Sequence, residues 1–279
     1  MSTEQFGKGA VADKYDIRDY HFAPGGGVNW NYEYDIEKTI GFPLVTKNQN
    51  GSFSCGGQAW AYYGEVLEYL ATSSYEPRSA RYIYSNTFVP MGGSAGRDNS
   101  DFVVKNGFAQ EAFATSYENG APPSETFMRW KPTLNADQLD EAKTSKALSY
   151  LQVAGDIDHI AEAISRNNGC IILVHGEDNG TWHSLFPKAP TGTGTWNHWL
   201  YAGRYKVING KKHIGVKNSW GDAVGENGWQ WLSEDYFDAG GVQYGWTLAW
   251  DYRPAKIKVL LAQVAVLLKA LISMLQNKK

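Results

Sequence analysis

The chain has little cysteine. Only Cys55 and Cys170 occur in 279 residues. A single possible pair makes no disulfide framework, so the sequence does not read as one that relies on an oxidising compartment. A transmembrane helix needs about 20 apolar residues, and no such run is present. The N-terminus lacks a basic-plus-apolar leader. These absences place the chain in the cytoplasm by default, with virion association left open and membrane association not expected. Without secretion, the sequons at Asn50 and Asn179 read as chance. None of the six histidines has metal-ligand spacing with another histidine or cysteine, so no metal or other cofactor is expected. Basic residues are not in excess: 26 Lys and Arg stand against 29 Asp and Glu. Without a basic stripe, nucleic acid is excluded as a partner.

What is present is apolar and aromatic. Hydrophobic residues make up 43% and aromatics 14%, enough for a sizeable core. The length suits one large domain or two lobes sharing a cleft. Eleven Trp and thirty Gly suggest β structure with many turns.

The stretch from Gln49 to Trp60 organises the rest. Beyond it, Trp60, Tyr63, Val66, Leu67 and Leu70 have the spacing of an amphipathic helix running to about Ala71. Ser54 reads as its N-cap, the hydroxyl accepting from an N–H one turn in. Cys55 then lies in the first turn, where unpaired N–H groups favour an anion and lower a thiol pKa. Taken alone, the position suits a small buried cysteine equally well.

Residues 1–27 read as an extended arm ending in Gly25–Gly27. Short helices are expected over Ser79–Asn86 and Asp101–Asn106, the latter stopped by Gly107. Helical spacing covers Leu139–Tyr150 and Asp156–Asn168, with Ile160, Ala163 and Ile164 on one face. Cys170 begins a buried strand, Ile171–Val174, and reads as core packing. Tyr201–Ile208, Lys212–Lys217 and Trp229–Leu232 alternate as antiparallel strands, with Asn209-Gly210 a hairpin turn. The glycine-threonine run 192–195 lacks the lysine of a phosphate loop and reads as a flexible loop.

Further motifs follow Cys55 in a fixed order. Asn197-His198-Trp199 lies 143 residues on, and Asn218-Ser219-Trp220-Gly221 begins 20 later. Gly225-Glu226-Asn227-Gly228 comes next. Val28-Asn29-Trp30 and Pro43–Gln49 precede the cysteine. This set resembles the papain family of cysteine peptidases over about residues 28–250, of a bacterial or phage type without a long propeptide. Asp16–Tyr20 resembles the segment ahead of the catalytic domain in such relatives. The arm is too short for a helical inhibitory lobe, which points to constitutive activity or control from outside the chain.

The resemblance implies an α+β two-lobe fold, helical over about 28–125 and an antiparallel β-barrel over 126–253. It implies Cys55 as nucleophile, His198 as base and acid, and Asn218 orienting the imidazole. Gln49 and the backbone N–H of Cys55 would face the oxyanion. Trp220 would shield the Asn218–His198 contact. Gly92-Gly93 would line the peptide cleft, with Asn197 and Trp199 beside it. The implied activity is hydrolysis of peptides or proteins through an acyl-enzyme thioester. A catalytically silent peptide-binding or structural protein is the alternative, as is an amide-transferring or deamidating enzyme.

Three departures stand out. Gly56 replaces the tryptophan usual after the nucleophile, and Val224 replaces a second tryptophan. Both are expected to thin the packing around His198. Trp199 stands where a small residue is usual and is expected to narrow the pocket for the second residue before the scissile bond. Residues 254–279 lie outside the resemblance. Ile257, Leu260, Val264, Leu267, Leu271 and Met274 follow a 3-4-3-4-3 heptad spacing. A C-terminal helix is expected there, docking on the body, making a homo-oligomer, or lying on a membrane surface.

Overall fold

The computed structural model describes residues 8–17, 19–192 and 196–251. The expected C-terminal heptad helix lies outside the described residues, as does most of the 192–195 run.

The arm supplies β1 (Ala10–Val11), and β2 (Tyr34–Asp35) leads into the short α1 (Ile36–Ile40). The helical lobe holds α2 (Cys55–Thr72), α3 (Ala80–Thr87), β3 (Ser94–Ala95) and α4 (Gly96–Asn106). Next come α5 (Glu125–Arg129) and α6 (Ala136–Thr144), which pack on α3 and α4 respectively. The second lobe contains β4 (Ser149–Ala154), α7 (Ile157–Asn167), β5 (Cys170–Gly176) and β6 (Trp196–Ile208). It closes with β7 (Lys211–Lys217), β8 (Trp229–Ser233), α8 (Glu234–Asp238) and β9 (Val242–Ala249). Among the described residues these strands form one sheet of order β4-β9-β5-β6-β7-β8, all neighbours antiparallel, with β2 added on β6.

The expected helix from Cys55 is present and one residue longer than read. It is not one-sided: every residue from Cys55 to Leu67 is buried, because the helix is wedged between the lobes. Trp60 meets Trp199 of β6 edge-on, with centroids 5.4 Å apart, and Tyr63 packs on Tyr201. Burying these aromatics from both lobes in one core fixes the helix start against β6. Ser54 precedes the helix but its hydroxyl caps no N–H; it faces the Ser52 hydroxyl at 2.8 Å instead.

The helical reading of 139–150 is half right. The helix ends at Thr144 because the next residues find partners on the sheet. Leu148 N–H donates to Ala249 O, and Ser149 and Tyr150 pair with Ala249 and Leu248 of β9. The α7 helix, capped by the Asp156 carboxylate, buries Ile160, Ala163 and Ile164 as expected. Asn209 and Gly210 both have positive φ, 51° and 79°, the geometry of a tight two-residue hairpin turn. Both cysteines are free and buried, with Cys170 in the core of the second lobe.

Candidate active site

Cys55, His198, Asn218 and Gln49 all have no solvent exposure. The Cys55 thiol sits where the first turn of α2 meets the His198–Trp199 segment of β6. Burial pushes it up to about 11, while backbone N–H groups of Trp199, Gly9, Gly56 and Cys55 itself pull the other way. The sequence expectation of a depressed thiol pKa therefore does not hold in this form. The helix N-terminus is in place, but loss of water outweighs it.

The orientation of His198 follows from a chain of hydrogen bonds. Gln230 Nε2 donates to the carbonyls of Trp182 and Ser184 at 2.8 and 2.9 Å, so its Oε1 is the acceptor end. Asn218 Nδ2 donates to that oxygen at 2.8 Å. Asn218 Oδ1 then faces His198 Nε2 at 3.0 Å and also accepts from Ser219 N–H. The proton of the neutral imidazole is thereby placed on Nε2, and Nδ1 keeps its lone pair. Nδ1 is buried without a hydrogen-bond partner. Burial pushes the His198 pKa down to about 4, opposed by the Asn218 bond and aided by the Lys8 charge. Gln230 was not found from sequence; its only signal was a polar residue inside an otherwise apolar strand.

Tyr62 of α2 ties the two lobes at this point, donating to Asn218 O at 3.2 Å and accepting from Lys47 N–H at 2.5 Å. Trp220 covers His198, its ring tilted 35° at 4.7 Å. The packing there is not thinned. Val224 is buried, and Trp182 and Trp196 pack on Trp220 at 5.9 and 6.0 Å, supplying aromatic bulk from other parts of the chain.

Gln49 is held by Ser219, whose hydroxyl donates to Oε1 at 2.6 Å, and its Nε2 donates to Ser52 O at 2.7 Å. Trp199 is fully buried among Trp60 and Tyr244, with Nε1 donating to Ser94 O at 2.9 Å. Asn197 is half-buried beside His175 in the β5–β6 pairing.

Gly92 and Gly93 lie ahead of β3 with φ of 96° and 84°. The backbone running along Gly93 and β3 is the chain's own arm. Ser94 N–H donates to Gly9 O at 2.9 Å, and Ala10 and Val11 pair in parallel with Ser94 and Ala95. Gly9 itself is packed so closely on Phe53 that a Cβ there would lie 1.9 Å from Phe53 O. On one side of Gly9, Lys8 pairs with Asp178 and sits 4.7 Å over the Trp196 ring. On the other, Asp13 accepts from Arg97 N–H, Tyr244 OH and Trp246 Nε1 at 2.9, 3.0 and 3.0 Å. Among the described residues no cluster of His, Cys, Asp and Glu could hold a metal ion.

The fold is that of the papain-like cysteine proteases. Xylellain, a cysteine protease from Xylella fastidiosa, superposes with a TM-score of 0.74 at 21% identity, over 89% of this chain and 97% of that one. Procathepsin L 3 from Tenebrio molitor larval midgut gives 0.67 at 16% identity, over 88% and 76% of the two chains. The bromelain protease from Ananas comosus, solved with the E64 inhibitor, gives 0.60 at 20%, over 80% and 100%. No protein-family model matches the sequence, and no curated protein does.

Proposed function

We propose that the chain is a cysteine peptidase whose described form is latent, closed by its own arm. The observation that carries the reading is the His198–Asn218–Gln230 relay, which presents an unprotonated, partnerless Nδ1 on the residue preceding Trp199. The Trp199 N–H acts on the Cys55 sulfur. A base of that kind next to a thiol is what nucleophilic attack on an amide requires. Cys55 attacks the carbonyl carbon and its proton passes to His198 Nδ1. His198 then returns the proton to the leaving amine, leaving a thioester that water hydrolyses. Gln49 and the Cys55 N–H stabilise the oxyanion.

The arm explains why both groups are held neutral here. With Gly9 over Cys55, water is excluded and neither thiolate nor imidazolium is solvated. The leaving amine must depart past His198, on the side of Trp196 and Trp220. The arm has its N-terminal end, Lys8, on that side. A substrate has its C-terminal part there, so the arm lies in the cleft with its direction reversed. A reversed arm does not present its peptide bonds in the orientation that cleavage requires.

The test is intact mass after exposure to an epoxysuccinyl thiol-peptidase inhibitor. Wild type is expected to label slowly. Gly9→Val, whose side chain collides with Phe53 and unseats the arm, is expected to gain one adduct at least ten times faster. Cys55→Ala is expected to gain none, and His198→Ala to label far more slowly. A Gly9→Val protein that a small alkylating reagent modifies at Cys55, but that the epoxide does not, would favour a peptide-binding protein on the same fold.

A further inference from the structure

The arm does more than cover the thiol: it places a carboxylate in a site built to receive one. Among the described arm residues, Asp13 is the one whose side chain is gripped by three donors, drawn from two elements. Arg97 N–H lies in the first turn of α4, and Tyr244 OH and Trp246 Nε1 stand two apart on one face of β9. Trp246 is fully buried, so its N–H is aimed and desolvated rather than a surface donor. Tyr244 also receives the Asp13 backbone N–H at 2.7 Å. The Arg97 guanidinium lies nearby, paired with Asp19, and adds positive charge without blocking the three donors. Once the arm leaves, the Trp246 N–H and Arg97 N–H lose their acceptor. A buried donor left without a partner is unfavourable, so the vacated site selects another acceptor.

We propose that Arg97 N–H, Tyr244 and Trp246 form a carboxylate-binding subsite of the open cleft, and that preferred substrates carry an acidic side chain there. The inference rests on the peptidase reading for the word substrate, but the subsite itself does not. Gly9 lies at Cys55, Ala10–Val11 is the strand paired with β3, and Asp13 is four residues beyond Gly9. A substrate running the opposite way therefore places its acidic residue several positions before the scissile bond. Asp13 is the intramolecular occupant of that same subsite.

The experiment uses the full chain with Gly9→Val, which unseats the arm, and Asp13→Ala, which removes the competing carboxylate, combined with Cys55→Ala to prevent turnover. Fluorescent alanine-rich octapeptides carrying Asp, Asn or Leu at each position in turn are titrated by anisotropy. At one position the Asp peptide is expected to bind at least ten-fold tighter than its Asn counterpart. Tyr244→Phe, which removes only a hydroxyl, is expected to cut that ratio several-fold, and Trp246→Phe to do the same. Asp peptides that bind no tighter than Asn peptides at any position overturn the subsite. The same peptides are then given to the Gly9→Val, Asp13→Ala protein with Cys55 intact. Selective binding without cleavage upholds the subsite and overturns the peptidase reading. Cleavage indifferent to the acid upholds the peptidase reading and overturns the subsite.

Discussion

Gly9 and Gly93 meet backbone to backbone: a Cβ built on Gly93 would stand 2.0 Å from the Gly9 carbonyl oxygen. Neither side of that contact tolerates a methyl group. Gly93 also has a φ of 84°, a conformation that side chains adopt at a cost of about 1 kcal/mol or more. Gly93→Ala is therefore expected to unseat the arm. Trypsin cleavage after the exposed Lys14 reads this directly, and it should become at least several-fold faster than in wild type. An unchanged cleavage rate would mean that the arm is held elsewhere.

Gln230 sets the orientation of Asn218 without lying next to His198. Gln230→Leu leaves the Asn218 amide and two carbonyls unpaired in a buried place. A loss of about 1–3 kcal/mol in stability is expected for each unsatisfied group that water does not reach. In the Gly9→Val background, Gln230→Leu should slow epoxide labelling, because His198 loses its fixed tautomer. Gln230→Glu separates orientation from packing. It keeps the volume and the oxygen that orients Asn218 but removes the donors to the Trp182 and Ser184 carbonyls, so labelling should fall far less than in Gln230→Leu. Normal labelling in both variants would show that Asn218 holds its orientation unaided.

Trp199 fills the space between Trp60, Tyr244 and β3. Trp199→Ala is expected to cost about 3–5 kcal/mol of stability through the cavity it opens. In an open-arm background it should also admit bulkier residues at the second position before the scissile bond, read by peptide-library profiling. An unchanged profile would sink the role assigned to Trp199.

The closed form should weaken in mild acid. His198 has its pKa pushed from 6.5 to about 4 by burial, so the unfolded chain binds the extra proton first. The stability this buried neutral imidazole permits is fully present above pH 6.5 and is lost as pH falls toward 4. The loss reaches at most about 3 kcal/mol. Asp13 works in the opposite sense: its raised pKa favours the closed form at low pH and less so as pH rises above 3.8. The melting midpoint should therefore fall between pH 6.5 and 4, and the slope should flatten in His198→Gln. A midpoint constant across that range would contradict the burial of His198.

Much of this was legible in the chain. The motifs at Cys55, His198 and Asn218 read correctly for fold because their order and separation are covalent facts. Helix α2 and strands β5 to β8 read correctly because their apolar periods are long and unbroken. The Asn209-Gly210 turn was legible because few residue pairs accept two consecutive positive φ values.

Tertiary structure decided the rest, for one physical reason: contacts between distant segments leave no local periodicity. Leu148–Tyr150 joined β9 rather than a helix because an edge strand offered hydrogen bonds. Trp182 and Trp196 packed on Trp220, where the packing around His198 was expected to be thin. Most of all, the state of Cys55 was not in its own neighbourhood. The helix start that should lower its pKa was present, but burial of the thiol outweighed it, and one of the groups packed on the sulfur is Gly9, 46 positions earlier in the chain.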